Sequence, residues 1–234
     1  MRKKPMLAYP VSSKPICYTQ PVFIQPKLDG VRCIIQYDNS KVKAYSRTGK
    51  EWKNIDHILF NLKPWFALNP NVILDGELYN HDLKDDFEKI ISLVRKQKPD
   101  DIDMLESADM VQFHCYDIID ETKTFEERMN FITQAVPRNH CIKHVETARI
   151  NHHDGAEARH KWHLLHGYEG SIVRLNTKYQ CKRSHSLRKF KDFHDDEALL
   201  LDWVEGKGKR KGTIGKFMAQ DSEGNIFGMP VMDK

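Results

Sequence analysis

Four short stretches of this chain set charged side chains into otherwise apolar, strand-like surroundings. Gln25-Pro26-Lys27-Leu28-Asp29-Gly30-Val31-Arg32 puts a lysine at the mouth of a hairpin, beside an Asp-Gly turn and just ahead of a buried strand. Leu74-Asp75-Gly76-Glu77-Leu78 interrupts a strand with two carboxylates, and the stretch from Tyr168-Glu169-Gly170 to Arg174 does so with one. In Leu187-Arg188-Lys189-Phe190-Lys191 cations alternate with apolar residues, so a strand points Lys189 and Lys191 to the same side. A charge on a half-buried strand is costly unless it is paired. Together these strands imply one charged cleft. Other phosphate and metal sites fit poorly. A Walker loop needs Ser or Thr after Gly-Lys, but Gly49-Lys50 precedes Glu51 and Gly215-Lys216 precedes Phe217. Five histidines fall between His152 and His166 with no carboxylate or thiolate to complete a metal set. His160, His163 and His166 therefore read as the polar face of one helix rather than as ligands.

The elements that must carry these residues alternate in type along the chain. Period-two alternation over Val31–Tyr37 and Lys41–Ser46, with Asp38-Asn39-Ser40 between them, predicts a hairpin. Helical spacing predicts helices over Asn54–Phe66 (with Asn54 as N-cap), Lys84–Arg95, Thr124–Val136 and Ala156–Leu165, the last stopped by Gly167. Thr124 and Glu127 have capping-box spacing. Strands are expected at Val72–Tyr79, Val111–Ile119, Gly170–Arg174 and Leu187–Phe193. Strands that come as hairpins among helices give an α+β class with mostly antiparallel sheets. Beyond Glu197 the pattern is all β: a strand at Ala198–Val204 and a hairpin over Gly212–Phe227 turning at 222–225. So short a segment cannot bury a core alone, and it reads as the start of a second domain. The expected domains are 1–197 and 198–234.

Composition narrows the class further. Of 234 residues, 40% are hydrophobic and 10% aromatic, which excludes wholesale disorder. The longest apolar runs, such as 198–201, are far too short to span a bilayer, and Lys3-Lys4-Pro5 leads into no secretory segment. Five scattered cysteines without a C-x-x-C pair read as reduced thiols of a cytoplasmic setting. The net charge of +4 is modest, but between Lys178 and Lys216 eleven Lys/Arg stand against six Asp/Glu. Most of that excess lies in two clusters, 182–191 and 207–211. Such clusters either face phosphates or form a solvated surface.

Six of these segments, in order, carry a resemblance. Lys27-x-Asp29-Gly30-x-Arg32 resembles the nucleotide-attachment motif of covalent nucleotidyltransferases: DNA ligases, RNA ligases and capping enzymes. Ser46-Arg47-Thr48-Gly49-Lys50, Asp75-Gly76-Glu77, Phe113-x-x-Tyr116-Asp117, Glu169-Gly170-x-x-x-Arg174 and Leu187-x-Lys189-x-Lys191 are similar to the motifs that follow. The Ser-Arg-Thr-Gly-Lys form and the later Gly212-Thr-Ile-Gly-Lys-Phe217 favour ATP-dependent DNA ligases of the compact phage, viral and bacterial type. The resemblance implies a nucleotidyltransferase domain of two antiparallel sheets flanked by helices, ATP-grasp-like, followed by the beginning of an OB-fold barrel. An RNA ligase, a capping-type enzyme or a noncatalytic nucleic-acid-binding remnant is the alternative.

The resemblance also implies roles. Lys27 attacks the α-phosphorus of ATP and carries AMP, which passes to the 5′-phosphate of nicked duplex DNA before the 3′-hydroxyl displaces it. A free lysine is neutral in only about one molecule in a thousand near pH 7.4, so an attacking amine needs help from its surroundings. Lys189 and Lys191 are suited to give it and to neutralise the phosphates. Arg32 and Glu77 are expected at the ribose, and Glu77 and Glu169 near Mg²⁺. Tyr116 is expected to stack on adenine opposite Ile172 or Val173, with Gln25 reading the adenine amino group. Arg47 is assigned to the nucleotide and nick 5′-phosphate, Asp29 to the 3′-hydroxyl side, and Lys207, Lys209, Arg210 and Lys211 to the duplex backbone. A monomer with no membrane partner is expected. The family's last motif, Arg-x-Asp-Lys, has no match at Val231-Met-Asp-Lys234, which implies impaired self-adenylylation and nick sealing by these residues alone.

Overall fold

The computed structural model describes residues 3–191 and 197–231, apart from the side chain of Lys209. They fall into two compact units, Met1–Lys191 and Asp192–Lys234. The first unit holds two five-stranded sheets. One has the order β1 (Leu7–Pro10), β10 (Arg183–Phe190), β9 (Gly170–Leu175), β2 (Val22–Lys27), β8 (Ala148–Ile150). The other has the order β4 (Lys41–Tyr45), β3 (Val31–Asp38), β5 (Ile73–Tyr79), β6 (Gln112–Ile118), β7 (Ile142–His144). Neighbours are antiparallel except β1 with β10 and β6 with β7. The expected α+β architecture, sheets flanked by helices, is the one observed.

Five helices cover these sheets: α1 (Asp56–Leu68), α2 (Phe87–Val94), α3 (Asp101–Met110), α4 (Phe125–Ala135) and α5 (His153–Leu165). Ile58, Leu62 and Phe66 recur at four-residue spacing on α1, so one stripe of that helix is buried with Leu93 of α2, Ile132 of α4 and Phe113 of β6. Ala156 of α5 packs on Val22, Ile24, Ile150 and Val173 of the first sheet. Met6, Ile34, Ile119, Tyr179 and Leu187 form a smaller core that joins the two sheets. No helix among the described residues is long and apolar enough to cross a membrane.

Several sequence expectations shift. Asn54 is not the cap of α1; the helix starts at Asp56, and the buried Asn54 amide donates to the carbonyls of Leu93 and Asp103, both at 3.1 Å. It ties α1 to the two helices beside it, a tertiary use that local spacing does not reveal. The helix expected from Lys84 begins only at Phe87, because Asp86 caps it, while His81–Leu83 form a separate 3-10 turn. α3 lies outside every expected element, since its many acidic residues mask the apolar period; its signal is the Asp100/Asp103 capping box. β10 starts at Arg183, earlier than expected, where it meets β1; Asp192 and Phe193, the expected end of that strand, lie outside the described residues. The Thr124/Glu127 capping box opens α4 as read.

The second unit is an antiparallel sheet of β11 (Leu199–Glu205), β12 (Ile214–Gln220) and β13 (Ile226–Pro230), in that order. Asp221 closes the β12–β13 turn by accepting from the backbone N–H groups of Glu223 and Asn225, both at 2.9 Å. Among its described residues only Ala219 is a buried hydrophobic, while Leu199, Leu200, Trp203 and Ile226 are more than half exposed. As the short length implied, the sheet buries no core of its own.

The first unit is braced by one carboxylate. Asp117, wholly buried on β6, accepts from Arg128 Nε at 2.6 Å and Nη2 at 3.2 Å, and from Arg174 Nη1 of β9 at 2.7 Å. Removing one partner of a buried ion pair strands the other charges without solvent, at a cost of about 3–5 kcal/mol. Asp117→Ala is therefore expected to lower the unfolding free energy of this unit by about 3–5 kcal/mol in urea titrations.

Candidate active site

Lys27 ends β2, where the chain leaves the sheet for the turn at Asp29-Gly30. A side chain at Gly30 would put its Cβ 2.5 Å from the Leu78 carbonyl oxygen and 2.7 Å from Glu77 Cγ, so only glycine lets β3 start flush against β5. Gly170 pairs with Lys27 in the neighbouring strand; a Cβ there would lie 2.4 Å from the Phe190 oxygen, and its φ of +150° already favours glycine. These two close approaches bring Lys27, Glu77 and Glu169 to one place from three distant parts of the chain.

Lys27 and Glu77 line a cleft of about 680 Å³, with Glu169 paired to Lys27 beside it. Lys27, Arg32, Glu77, Tyr116, Ile172 and Lys189 all line it, as do Arg47 and Gln25. Eight Lys/Arg side chains line the cleft against one carboxylate, Glu77. A wall so biased concentrates polyanions. The amine of Lys27 donates to Glu169, whose other oxygen lies 3.4 Å from Lys191 Nζ. In this arrangement the nitrogen is committed as a donor to Glu169.

Other polar groups are more heavily committed than the sequence suggested. Arg32 is clamped by Asp75 through Nε at 2.9 Å and Nη2 at 2.5 Å, while Nη1 donates to the Met6 carbonyl at 2.8 Å. Tyr179 OH donates to the same Asp75 at 2.7 Å. Gln25 is buried: its oxygen accepts from Arg174 Nε at 2.6 Å and its nitrogen donates to Thr147 Oγ1 at 2.8 Å and the Tyr116 carbonyl at 3.2 Å. Only one lone pair of that amide is left for a ligand. The Tyr116 ring lies beneath the guanidinium groups of Arg174 and Arg32, at 5.3 and 5.6 Å. Burial pushes its phenol well above the usual range, so it keeps its proton and donates to Glu77 at 3.3 Å. Burial likewise raises Glu77 to about 7, against the opposing pull of Arg32 and Lys27.

Asp29, Glu169 and Lys191 do not line the cleft; Glu169 touches it only through its ion pair with Lys27. Asp29 is exposed in its turn, its carboxyl raised by partial burial and by the charge of Glu169. Lys207, Arg210 and Lys211 are exposed in the second unit, and the side chain of Lys209 lies outside the described residues. Sequence reading missed the far wall, Trp52 with Phe87, Ile91 and Arg95 from the α2 region, and it missed Asp75 and Tyr179 as the brace of Arg32. Only Asp75 left a signal, a carboxylate inside an apolar strand. Among the described residues no three His, Cys, Asp or Glu side chains converge on a metal position. Glu77 and Glu169 instead offer isolated carboxylates, which suits Mg²⁺, an ion that keeps most of its shell as water and phosphate oxygen.

The pH dependence of stability tests the environment of Glu77. Its folded value of about 7 stands above the ordinary 4.5, so its contribution is fully present below pH 4.5 and is lost as pH rises through 7. That displacement corresponds to about 3 kcal/mol. Glu77→Gln is expected to remove this loss, so that in chemical denaturation the wild-type minus variant difference in stability falls by about 3 kcal/mol between pH 4.5 and 8.

Residues 5–191 match the model of the ATP dependent DNA ligase domain. The DNA ligase of African swine fever virus (isolate Pig/Kenya/KEN-50/1950) is 30% identical over 207 residues, covering 84% of this chain and 48% of that protein. A probable DNA ligase of Saccharopolyspora erythraea is 27% identical over 242 residues, 98% of this chain and 45% of its own length. The chain thus spans about half the length of these relatives. Among solved structures, a Lig E DNA ligase superposes with a TM-score of 0.79 at 23% identity, covering all of this chain and 86% of the other. Chlorella virus DNA ligase-adenylate superposes at 0.61 with 21% identity, covering 99% and 83%. The fold is theirs, and the domain match over most of its length makes this chain a member of the ATP-dependent DNA ligase domain family.

Proposed function

We propose that the chain is the catalytic part of an ATP-dependent DNA ligase that seals nicks in duplex DNA through a lysyl-AMP intermediate on Lys27. The observation that carries this reading is the placing of one lysine amine in a cation-rich cleft beside an aromatic and an aliphatic wall. Adenine lies between Tyr116 and Ile172, with the ribose toward Arg32 and Glu77. The triphosphate runs along Lys27 and Lys189, with Lys191 behind Glu169.

Attack begins when Glu169 releases the amine. Lys27 Nζ, having lost its extra proton to solvent, forms a bond to the α-phosphorus as the bond to the bridging oxygen breaks and pyrophosphate leaves. Lys189, with Lys191 behind Glu169, faces charge that builds on the phosphate oxygens, an electrostatic contribution that needs no reorganisation at the moment of reaction. Mg²⁺ held by Glu169 and Glu77, with water completing its shell, would supply further neutralisation of the triphosphate. AMP then passes to the 5′-phosphate held by Arg47, and the 3′-hydroxyl near Asp29 displaces it. The second unit is the start of an OB-fold barrel, and its exposed Lys207, Arg210 and Lys211, together with Lys209, contact the duplex backbone. Each such contact steepens the salt dependence of binding by a slope of about −0.9.

Incubation with radiolabelled ATP and Mg²⁺ followed by denaturation is expected to leave an acid-labile label on the wild type and none on Lys27→Ala. Equal labelling of the two proteins refutes the assignment. Nicked DNA is expected to discharge the label in preference to nicked RNA, and GTP is expected not to replace ATP.

A further inference from the structure

The histidines of α5 line no part of the cleft, yet two of them are buried directly behind it. His163 is fully buried and His160 nearly so. Both belong to the run that reads from sequence as a solvent-facing stripe; only His166, whose ring stacks on Trp162, is exposed. The Nδ1 atoms of His163 and His160 lie 2.7 and 3.0 Å from Ser171 Oγ. Ser171, itself wholly buried, is paired through its backbone to Pro26 on one side and Phe190 on the other, one step along the sheet from Lys27.

His163 grips the same stretch a second time. Its carbonyl accepts the backbone N–H of Tyr168 at 3.0 Å, and its ring packs edge-on against the Tyr168 ring at 5.9 Å. Glu169 is therefore bracketed: Tyr168 before it and Ser171 beyond it are both tied to one residue. Adhesion between α5 and the sheet would be served as well by apolar side chains, since buried polar sets are often no more stabilising than apolar replacements. Hydrogen bonds add direction.

That direction can be assigned. A serine hydroxyl carries one proton, so it donates to one imidazole and accepts from the other. His163 Nε2 is buried without a partner. An orphaned N–H is the rarer deficit in a folded interior, so the proton of His163 belongs on Nδ1, donating to Ser171 Oγ, which in turn donates to His160 Nδ1.

We propose that His163 is a positioning residue: through Ser171 and Tyr168 it sets the carboxylate of Glu169 against the amine of Lys27. The proposal rests on the reading of Lys27 as the nucleophile. A misplacement of about 1 Å at a reacting group can cost as much as a hundredfold in rate, so a slackened anchor two residues away has room to matter.

The test compares wild type with His163→Phe, His163→Asn and Ser171→Ala. The readouts are the rate of lysyl-AMP formation at saturating ATP, the ATP concentration giving half that rate, and the thermal midpoint. His163→Phe and Ser171→Ala are expected to slow labelling about tenfold with the half-saturating concentration within about twofold of wild type. Asparagine presents its amide N–H close to the place of Nδ1–H, and His163→Asn is expected to recover most of the rate. Acetylation of Lys27 by an amine reagent, followed by mass spectrometry, makes the same comparison without ATP and is expected to change severalfold in the Phe variant and return in the Asn variant. An Asn variant no better than Phe in both assays, wild-type behaviour of all variants, or rates that merely track the thermal midpoint overturns the proposal. A wild type that acetylates as expected but takes no label from ATP instead refutes the nucleophile assignment and leaves the positioning role judged by acetylation alone.

Discussion

One carboxylate sits where the two sheets of the first unit meet, and the cleft takes its shape from it. Asp117 belongs to one sheet, Arg174 to the other and Arg128 to the helix that packs beside them, so three elements share a single buried charge. Arg174 also holds the amide of Gln25, which lies on the same strand as Lys27. Charged groups taken out of water demand partners in good geometry, and that demand fixes the separation of the sheets more tightly than apolar packing does. Asp75, with Arg32 and Tyr179, repeats the arrangement nearer the cleft. Arg32 and Arg174, two of the cations lining the cleft, are therefore held from behind by buried acids.

The electrostatics of the cleft follow from this layering. The charged residues on its surface are almost all cations, while the compensating carboxylates lie one layer deeper or, with Glu169, at the edge. Glu77 is the exception, a carboxyl whose burial lets it hold its proton near neutrality. A neutral acid does not repel phosphate as an ionised one would, and a cation beside it would restore its charge, so its presence among the cations does not defeat anion binding.

Much of this was legible in the sequence wherever chemistry and local geometry coincide. The lysine beside Asp29-Gly30, the Asp75-Gly76-Glu77 interruption and the alternating cations at 187–191 each mark a charge where an apolar strand would otherwise run; Lys27, Glu77 and Lys189 reach the cleft and Asp75 braces it, while Asp29, Arg188 and Lys191 do not. Thr124 and Glu127 likewise fixed a helix start from four residues. What was hidden depends on long-range contact. Asn54 looks like a helix cap because its alternative partners are 39 and 49 residues away. His160 and His163 share a spacing with His166 that suggests a solvent-facing stripe, and nothing local discloses that Ser171 waits for two of them. α3 was invisible because acidic residues dilute its apolar period, leaving only its cap as a signal.

The two glycines without space for a side chain, Gly30 and Gly170, have a dynamic corollary. With the main chain pinned on both flanks of Lys27, exchanging one partner for another is left to torsions along four methylenes. Rotamer hops of this kind take picoseconds to nanoseconds, many orders faster than typical turnover. Reorientation of the Lys27 amine is therefore too quick to set a slower rate, which belongs to the arrival, closure or departure of larger bodies.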